Sequence, residues 1–188
     1  MEKFKNKYKI ASARAKWWNY SDNGVYFITI CTQNHRNYFG RVKRDKMCLS
    51  EIGRIAYDCW TQIPDHFPFV KLEKFVIMPN HVHGIIVIDK PDVVVETLHA
   101  TSLRKLPLRS QRQQMAEISP KSNSVSTVIR SYKSVVSNQA RKINNTFSWQ
   151  SRFYDRIVRN NQEYRRIARY IINNPYNWAN DRNFQDCY

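Results

Sequence analysis

Apolar and β-branched residues dominate the stretch 75–88, which a single polar turn interrupts. Val, Ile and Phe are typical of strands rather than of helices, because their branched or bulky side chains fit a pleated surface. The turn consists of Pro79 and Asn80, two residues that favour tight connections. The pattern therefore predicts a hairpin of two strands, 70–78 and 81–88.

The remaining chain alternates between short strand patterns and helical periodicity. The patterns predict strands at 25–32, 38–42 and 47–49, a first helix capped by Ser50 and ended by 64–68, and helices at 124–143 and about 161–173. Strands that follow one another or form hairpins, with helices between them, predict an α+β fold of ferredoxin-like type. In such a fold an antiparallel sheet carries helices packed on one face.

Composition divides the chain into three parts. Residues 1–23 form a basic, aromatic-bearing arm, 24–180 a single domain, and 181–188 a C-terminal tail. Within the domain, residues from about 89 to 122 mix prolines with arginines and lysines and show no sustained period. We interpret this stretch as a long basic insertion rather than as a second domain.

The charge of the chain restricts its partners. The 188 residues carry a net charge of +16, with a pI near 9.9, which favours a polyanion such as nucleic acid as the partner. A merely solvated basic surface is the alternative. No segment approaches the roughly 20 apolar residues of a membrane span, so we expect no membrane partner.

Cysteine usage and the N-terminus indicate the compartment. The four cysteines are scattered without a C-x-x-C pair, and no apolar leader follows the basic N-terminus. We expect a cytoplasmic protein without a disulfide framework.

Two histidines lie on the second strand of the hairpin. His81 and His83 are two positions apart, so their imidazoles project from the same face of a strand and can bind one cation. The alternative is a pair of histidines that merely pack in the core, and a His-x-His pair alone does not separate the two interpretations.

A second set of polar residues lies about ninety residues downstream. Arg166, Tyr170 and Asn174 occur at i, i+4 and i+8, so they form one stripe along the last helix. Ile167 and Ile171 form an adjacent apolar stripe that can pack this helix on the sheet. A phenol and an amide one turn apart would then face the histidine pair.

Three blocks of the sequence resemble one known family. They are MPNHVHG at 78–84, WQSRFYD at 149–155 and YRRIARYIINNP at 164–175. The chain is similar to the single-tyrosine HUH transposases, and most similar to the REP-associated tyrosine transposases. The resemblance covers about residues 25–178, and each block alone would be weak.

The resemblance implies a ferredoxin-like domain of HUH endonuclease and transposase type with a metal-dependent active site. The metal-binding pair falls on His81 and His83, and the nucleophile falls on Tyr170. Asn174 falls on a third metal ligand, although it could instead cap the helix C-terminus. Many relatives have a histidine where this chain has Arg156, and the insertion at 89–122 is longer than expected.

The implied reaction is nicking and rejoining of single-stranded DNA, with hairpin DNA as the expected substrate, through a 5′-phosphotyrosine. The cofactor would be Mg²⁺ or Mn²⁺, since mixed imidazole and oxygen ligation suits them. Two alternatives stay open: a hydrolytic metal-dependent nuclease, and a non-catalytic nucleic-acid-binding domain. A homodimer is possible, because relatives include both dimers and monomers.

Basic and aromatic residues near the last helix are the expected DNA contacts. Arg166 is the candidate for clamping the scissile phosphate, Arg152, Arg156 and Arg159 for other phosphates, and Trp149 for stacking on unpaired bases. By residue type alone the nucleophile could also be one of four other tyrosines: Tyr132, Tyr154, Tyr164 and Tyr176.

Overall fold

The computed structural model describes residues 3–4, 7–8, 19–91, 123–181 and 183–184. Most of the predicted N-terminal arm, the insertion from 92 to 122 and most of the C-terminal tail therefore lie outside the described residues. The helices and strands, in chain order, are β1 Lys3–Phe4, β2 Lys7–Tyr8, β3 Gly24–Cys31, β4 Gly40–Lys43, β5 Lys46–Leu49, α1 Glu51–Thr61, α2 Ile63–His66, β6 Val70–Ile77, β7 His81–Ile88, α3 Val125–Ile143, β8 Tyr154–Val158 and α4 Asn161–Ile172. They are accompanied by two 3-10 turns, Gln33–His35 and Trp178–Asn180.

The main sheet has four antiparallel strands in the order β6-β7-β3-β8. Helix α1 links β3 to β6, and α3 links β7 to β8, with the β6–β7 hairpin between them. This is the ferredoxin-like arrangement, so the predicted α+β fold is confirmed. Strand β7 has the predicted bounds, whereas β8 was not predicted as a strand.

The two faces of the sheet are covered by different helices. On one face Tyr26, Ile28 and Ile30 of β3 form a core with the apolar sides of α1 and α3. On the other face Phe27 and Ile85 pack against residues of α4. The expectation of helices on one face therefore holds for α1 and α3, while α4 lies opposite, because alternate strand residues face opposite ways and both sets are apolar.

The helix starts follow the local capping chemistry. Ser50 accepts a hydrogen bond from the backbone N–H of Gly53 at 3.0 Å, as predicted for the start of α1. Asn160 caps α4 in the same way, accepting from the backbone N–H of Glu163 at 2.8 Å. Helix α1 ends at Thr61, before the predicted proline stop, and Pro64 lies instead in the first turn of α2. None of the helices in the described ranges has both the length and the apolar character that a bilayer crossing needs.

Candidate active site

The two histidines lie at the start of β7, in the interior of the sheet, and both side chains are fully buried. Their ring centroids are 4.4 Å apart. Both face the side of the sheet that α4 covers, because they are in phase with Ile85 along the strand. The predicted projection of His81 and His83 from one face is therefore confirmed.

The buried amide of Asn80 sets the orientation of the His81 ring. Its Nδ2 donates to the backbone carbonyls of His35 at 2.9 Å and of Asn183 at 2.8 Å. Since both amide protons are used, its Oδ1 acts as the acceptor for His81 Nδ1, 2.9 Å away. The proton of His81 then lies on Nδ1, and Nε2 presents a lone pair, which is the form that binds a metal.

His83 is held in a similar way from the neighbouring strand. Its Nδ1 lies 2.9 Å from the buried hydroxyl of Thr29, the residue that faces it across β3 and β7. The ring of Phe27 stacks on the imidazole, with centroids 5.4 Å apart. This contact leaves Nε2 directed toward α4.

The phenol of Tyr170 meets this imidazole. Its hydroxyl lies 3.1 Å from His83 Nε2 and donates to Asp181 Oδ2 at 3.3 Å. Phe27 packs edge-on against the ring, at 6.2 Å between centroids, while the Tyr170 side chain stays 42% exposed. The hydroxyl is thus fixed beside the histidine pair and the ring remains accessible to a large substrate. All these contacts occur within one chain.

Asp181 belongs to the site although the sequence pattern assigns it to the C-terminal tail. One carboxylate oxygen and one nitrogen each of His81 and His83 lie within 4.8 Å of one another. After α4 the chain turns back through Trp178–Asn180, and Trp178 packs on His81 at 5.9 Å between ring centroids. A lone carboxylate beyond a helix carries no periodic signal, so only this chain reversal reveals it.

Asn174 lies beside Asp181, two residues beyond the last residue of α4. Its Nδ2 donates to Asp181 Oδ2 at 3.2 Å. Its Oδ1 is buried and has no hydrogen-bond partner among the described residues. A buried amide oxygen without a donor is costly unless something else binds it, so this atom is available to a cation.

Two of the alternative tyrosines are occupied elsewhere. Tyr132 is buried under α1, where its hydroxyl donates to the carbonyl of Ala56, and burial raises its pKa well above the ordinary value. The hydroxyl of Tyr164 donates to Glu73, and this hydrogen bond is the main reason its pKa is raised. A raised pKa disfavours the phenolate that a nucleophile needs.

A cavity of about 540 Å³ opens beside Tyr170. Arg166, Tyr170, Asn174 and Asp181 line it, so the predicted stripe of the last helix faces one space. Arg156 of β8 lines it as well. The cavity thus combines the phenol, the carboxylate and two guanidinium groups.

Glu163 partly neutralises these arginines. Its Oε1 lies 2.6 Å from Arg156 Nη2 and 3.9 Å from Arg166 Nη2. Its pKa is lowered, first by a hydrogen bond from the backbone N–H of Arg159 and then by the nearby charge of Arg156. Arg166 makes the longer contact and is two-thirds exposed, so it is the better placed of the two for a phosphate.

The expected base-stacking role of Trp149 is wrong. The side chain is 9% exposed, packs against Phe39 and Phe147, and donates its indole N–H to the carbonyl of Lys133 at 3.1 Å. A ring enclosed on both sides has no face to offer a base. Arg152 and Arg159 are exposed, one before and one after β8, and their contact with DNA stays a prediction.

Comparisons with known proteins find a similar sequence and similar solved structures. No family model matches the chain. A protein of Haemophilus influenzae described only as "Uncharacterized protein" is 37% identical over 176 residues, which are 93% of each chain. The structure of a REP-associated tyrosine transposase bound to a REP hairpin has a TM-score of 0.52 and 17% identity, over 88% of this chain and 73% of that one. A candidate transposase of Deinococcus radiodurans R1 reaches a TM-score of 0.44 at 10% identity, over 86% of this chain and 97% of that one.

Proposed function

We propose that this chain, which belongs to one family with the Haemophilus influenzae protein and has the fold of a REP-associated tyrosine transposase, is a metal-dependent enzyme that nicks and rejoins single-stranded DNA. The reaction would pass through a 5′-phosphotyrosine on Tyr170. One observation carries the proposal: the Tyr170 hydroxyl lies 3.1 Å from one imidazole of a buried histidine pair and 3.3 Å from a carboxylate.

His81, His83 and Asp181 would hold the metal ion, with Asn174 Oδ1 as a fourth donor. The observations that fit a metal are the hydrogen bonds that turn His81 Nε2 toward the site and the orphaned amide oxygen of Asn174. Two imidazoles with oxygen ligands suit Mn²⁺, and Mg²⁺ where oxygen ligation dominates. When bound, such an ion polarises the scissile phosphate and stabilises charge on the leaving oxygen.

The residues of the chain supply the nucleophile and a proton acceptor. The Tyr170 oxygen forms a bond to phosphorus while the bond from phosphorus to the 3′-oxygen breaks. The phenolic proton can transfer to Asp181 Oδ2, which lies 3.3 Å from the hydroxyl, and from there to the departing 3′-oxygen, which becomes the free 3′-hydroxyl needed for rejoining. The covalent link keeps the energy of the broken phosphodiester for the second step.

Single-stranded or hairpin DNA is the proposed substrate. The net charge of +16 favours a polyanion, and Arg156 and Arg166 line the cavity beside Tyr170. The structural neighbour is bound to a REP hairpin, which supports hairpin DNA as the first substrate to test. The phenol and the imidazoles meet within one chain, and a homodimer stays a prediction.

The experiment is to trap the covalent intermediate. The protein is incubated with labelled hairpin oligonucleotides that carry single-stranded tails, with Mn²⁺ or with a chelator, and then denatured. We expect a labelled protein band that depends on metal, and mass mapping of the nucleotide to Tyr170. Tyr170→Phe should abolish the band, and His81→Ala should reduce it strongly.

Tyr176→Phe is the matched control, because Tyr176 follows the last helix, lies outside the cavity beside Tyr170 and has a ring that is 71% exposed. The Tyr176→Phe variant should form as much labelled protein–DNA adduct as the wild type does. Cleavage that persists in Tyr170→Phe without any adduct would show a hydrolytic nuclease. Tight DNA binding without metal-dependent cleavage would show a non-catalytic binder.

A further inference from the structure

A second groove lies next to the site cavity, between strand β8 and the first turn of α4. We call it the β8–α4 groove; it has a volume of about 610 Å³. Tyr154, Arg156 and Arg166 line both the groove and the site cavity, so the two spaces adjoin. The proposed nucleophile therefore lies in one compartment, and a second compartment opens directly beside it.

The walls of the groove combine positive charge with aromatic surface. Three arginines and two carboxylates line it: Arg156, Arg159, Arg166, Asp155 and Glu163. Glu163 contacts two of the three guanidinium groups. Tyr154 stands on β8 and is 46% exposed. This pairing of cations with an exposed ring is what proteins use to bind unpaired nucleotides, with cations on phosphates and rings on bases.

Tyr154 is held firmly enough to serve as a stacking platform. Phe27 packs edge-on against its ring at 6.4 Å between centroids, and the same Phe27 packs against Tyr170 at 6.2 Å. One buried ring thus positions both tyrosines. Within the described residues, strand β8 is also an edge strand of the sheet, so no described strand stands between it and an extended polynucleotide.

We propose that the β8–α4 groove is the subsite for the nucleotide next to the scissile phosphate, with its base stacked on Tyr154. Arg159 binds a backbone phosphate at the outer end of the groove, and Gln162 at the start of α4 faces the base. The inference rests on the proposed DNA substrate. It adds that recognition requires an unpaired base at this position, since a paired base cannot reach the ring.

The test compares single-stranded with double-stranded DNA and needs no cleavage. Fluorescence anisotropy with a labelled 12-nucleotide oligothymidine and a 12-base-pair duplex, both in chelator, gives the two dissociation constants. We expect Tyr154→Ala to weaken binding of the single strand roughly 5- to 150-fold, the range that stacking of one base supplies, and to leave the duplex unchanged. Tyr154→Phe keeps the ring and should bind like the wild type.

Two further variants separate stacking from charge. Tyr176→Ala, an exposed tyrosine outside the groove, should change neither constant. Arg159→Ala should weaken the binding of both DNAs. It should also make the slope of log affinity against log salt concentration shallower by about one unit, the contribution of one phosphate contact. The proposed subsite would be wrong if Tyr154→Ala weakened the binding of both DNAs equally, or weakened the binding of neither.

A measurement on the wild-type protein guards against misfolding of the variant. Oligothymidine that contains 5-iodouracil is crosslinked with ultraviolet light, and the attached peptide is identified by mass spectrometry. Attachment to Tyr154 supports the subsite, and attachment confined to residues outside the groove refutes it. Because neither assay reads a phosphotyrosine, loss of the adduct on Tyr170 would refute the proposed reaction and leave this result standing.

Discussion

Replacement of Gly84 by Ala is predicted to destabilise the fold through a single clash. Gly84 follows His83 on β7, and its missing side chain faces α1. A Cβ built there would lie 2.3 Å from Cζ2 of Trp60, far inside van der Waals contact. The glycine of the HVHG block is therefore required by packing between sheet and helix.

Trp60 cannot move away from the added methyl group. Its ring is fully buried, stacks on Phe75 at 6.0 Å and meets the edge of Tyr132 at 5.1 Å. Overpacking of a closed core typically costs about 1–3 kcal/mol. For a chain of this length, each kcal/mol lowers the melting temperature by about 2–4 °C, so the expected decrease is roughly 2–12 °C.

The assay is thermal and urea unfolding of a double-mutant cycle. Trp60→Phe removes the clashing atoms, and the Trp60 indole N–H has no hydrogen-bond partner among the described residues, so no hydrogen bond is lost. The double variant Gly84→Ala with Trp60→Phe should be more stable than the sum of the single changes by about 0.5–3 kcal/mol. Gly24→Ala is the matched control, since its Cβ would meet only ordinary contacts at 3.4 Å and beyond.

A Gly84→Ala protein as stable as the wild type would refute the proposed clash. The clash would also be refuted if the change in unfolding free energy of the double variant equalled the sum of the two single changes. Destabilisation by the control Gly24→Ala of the same size would also contradict it, because the cost would then come from loss of glycine and not from Trp60.

Three further predictions concern the site. Thr29→Val should lower Mn²⁺ affinity about 10- to 100-fold in titration calorimetry, because His83 loses its orienting partner, whereas Thr29→Ser should bind normally. Asp181→Asn should weaken Mn²⁺ binding at least about tenfold and more than Asn174→Ala does, since only Asp181 brings negative charge; the reverse order would assign the metal to the amide. Glu163 has a pKa lowered from the ordinary 4.5, so its stabilisation is complete above that value and is lost as pH falls through the folded-state pKa. In urea unfolding, wild type should therefore be more stable than Glu163→Gln at pH 7, and the difference should shrink as the pH falls through the folded-state pKa; a difference that stays the same in acid would contradict this.

Local sequence signals predicted most of the geometry of the candidate site. The bounds of β7 followed from its β-branched run, and the two-residue spacing of the histidines placed both on one face. The spacing of Arg166, Tyr170 and Asn174 placed these side chains in one cavity, because residues four apart on a helix share a face.

Features that depend on tertiary packing were missed. Strand β8 has two adjacent charged residues, Asp155 and Arg156, followed by two apolar ones, so its five residues show no alternation and the strand is recognised only by its pairing with β3. Trp149 is flanked by polar and basic residues, which suggested exposure, yet its ring completes an aromatic core with Phe39 and Phe147. Asp181 reaches the histidines only because the chain reverses after α4.

The site also has a consequence for the timing of synthesis. The Tyr170 hydroxyl contacts an imidazole 87 positions earlier in the chain. At about 5–20 residues per second, the strand with the imidazoles leaves the ribosome roughly 4 to 17 s before the helix with the phenol. A nascent chain in that interval already contains His81 and His83 but does not yet contain Tyr170, the proposed nucleophile.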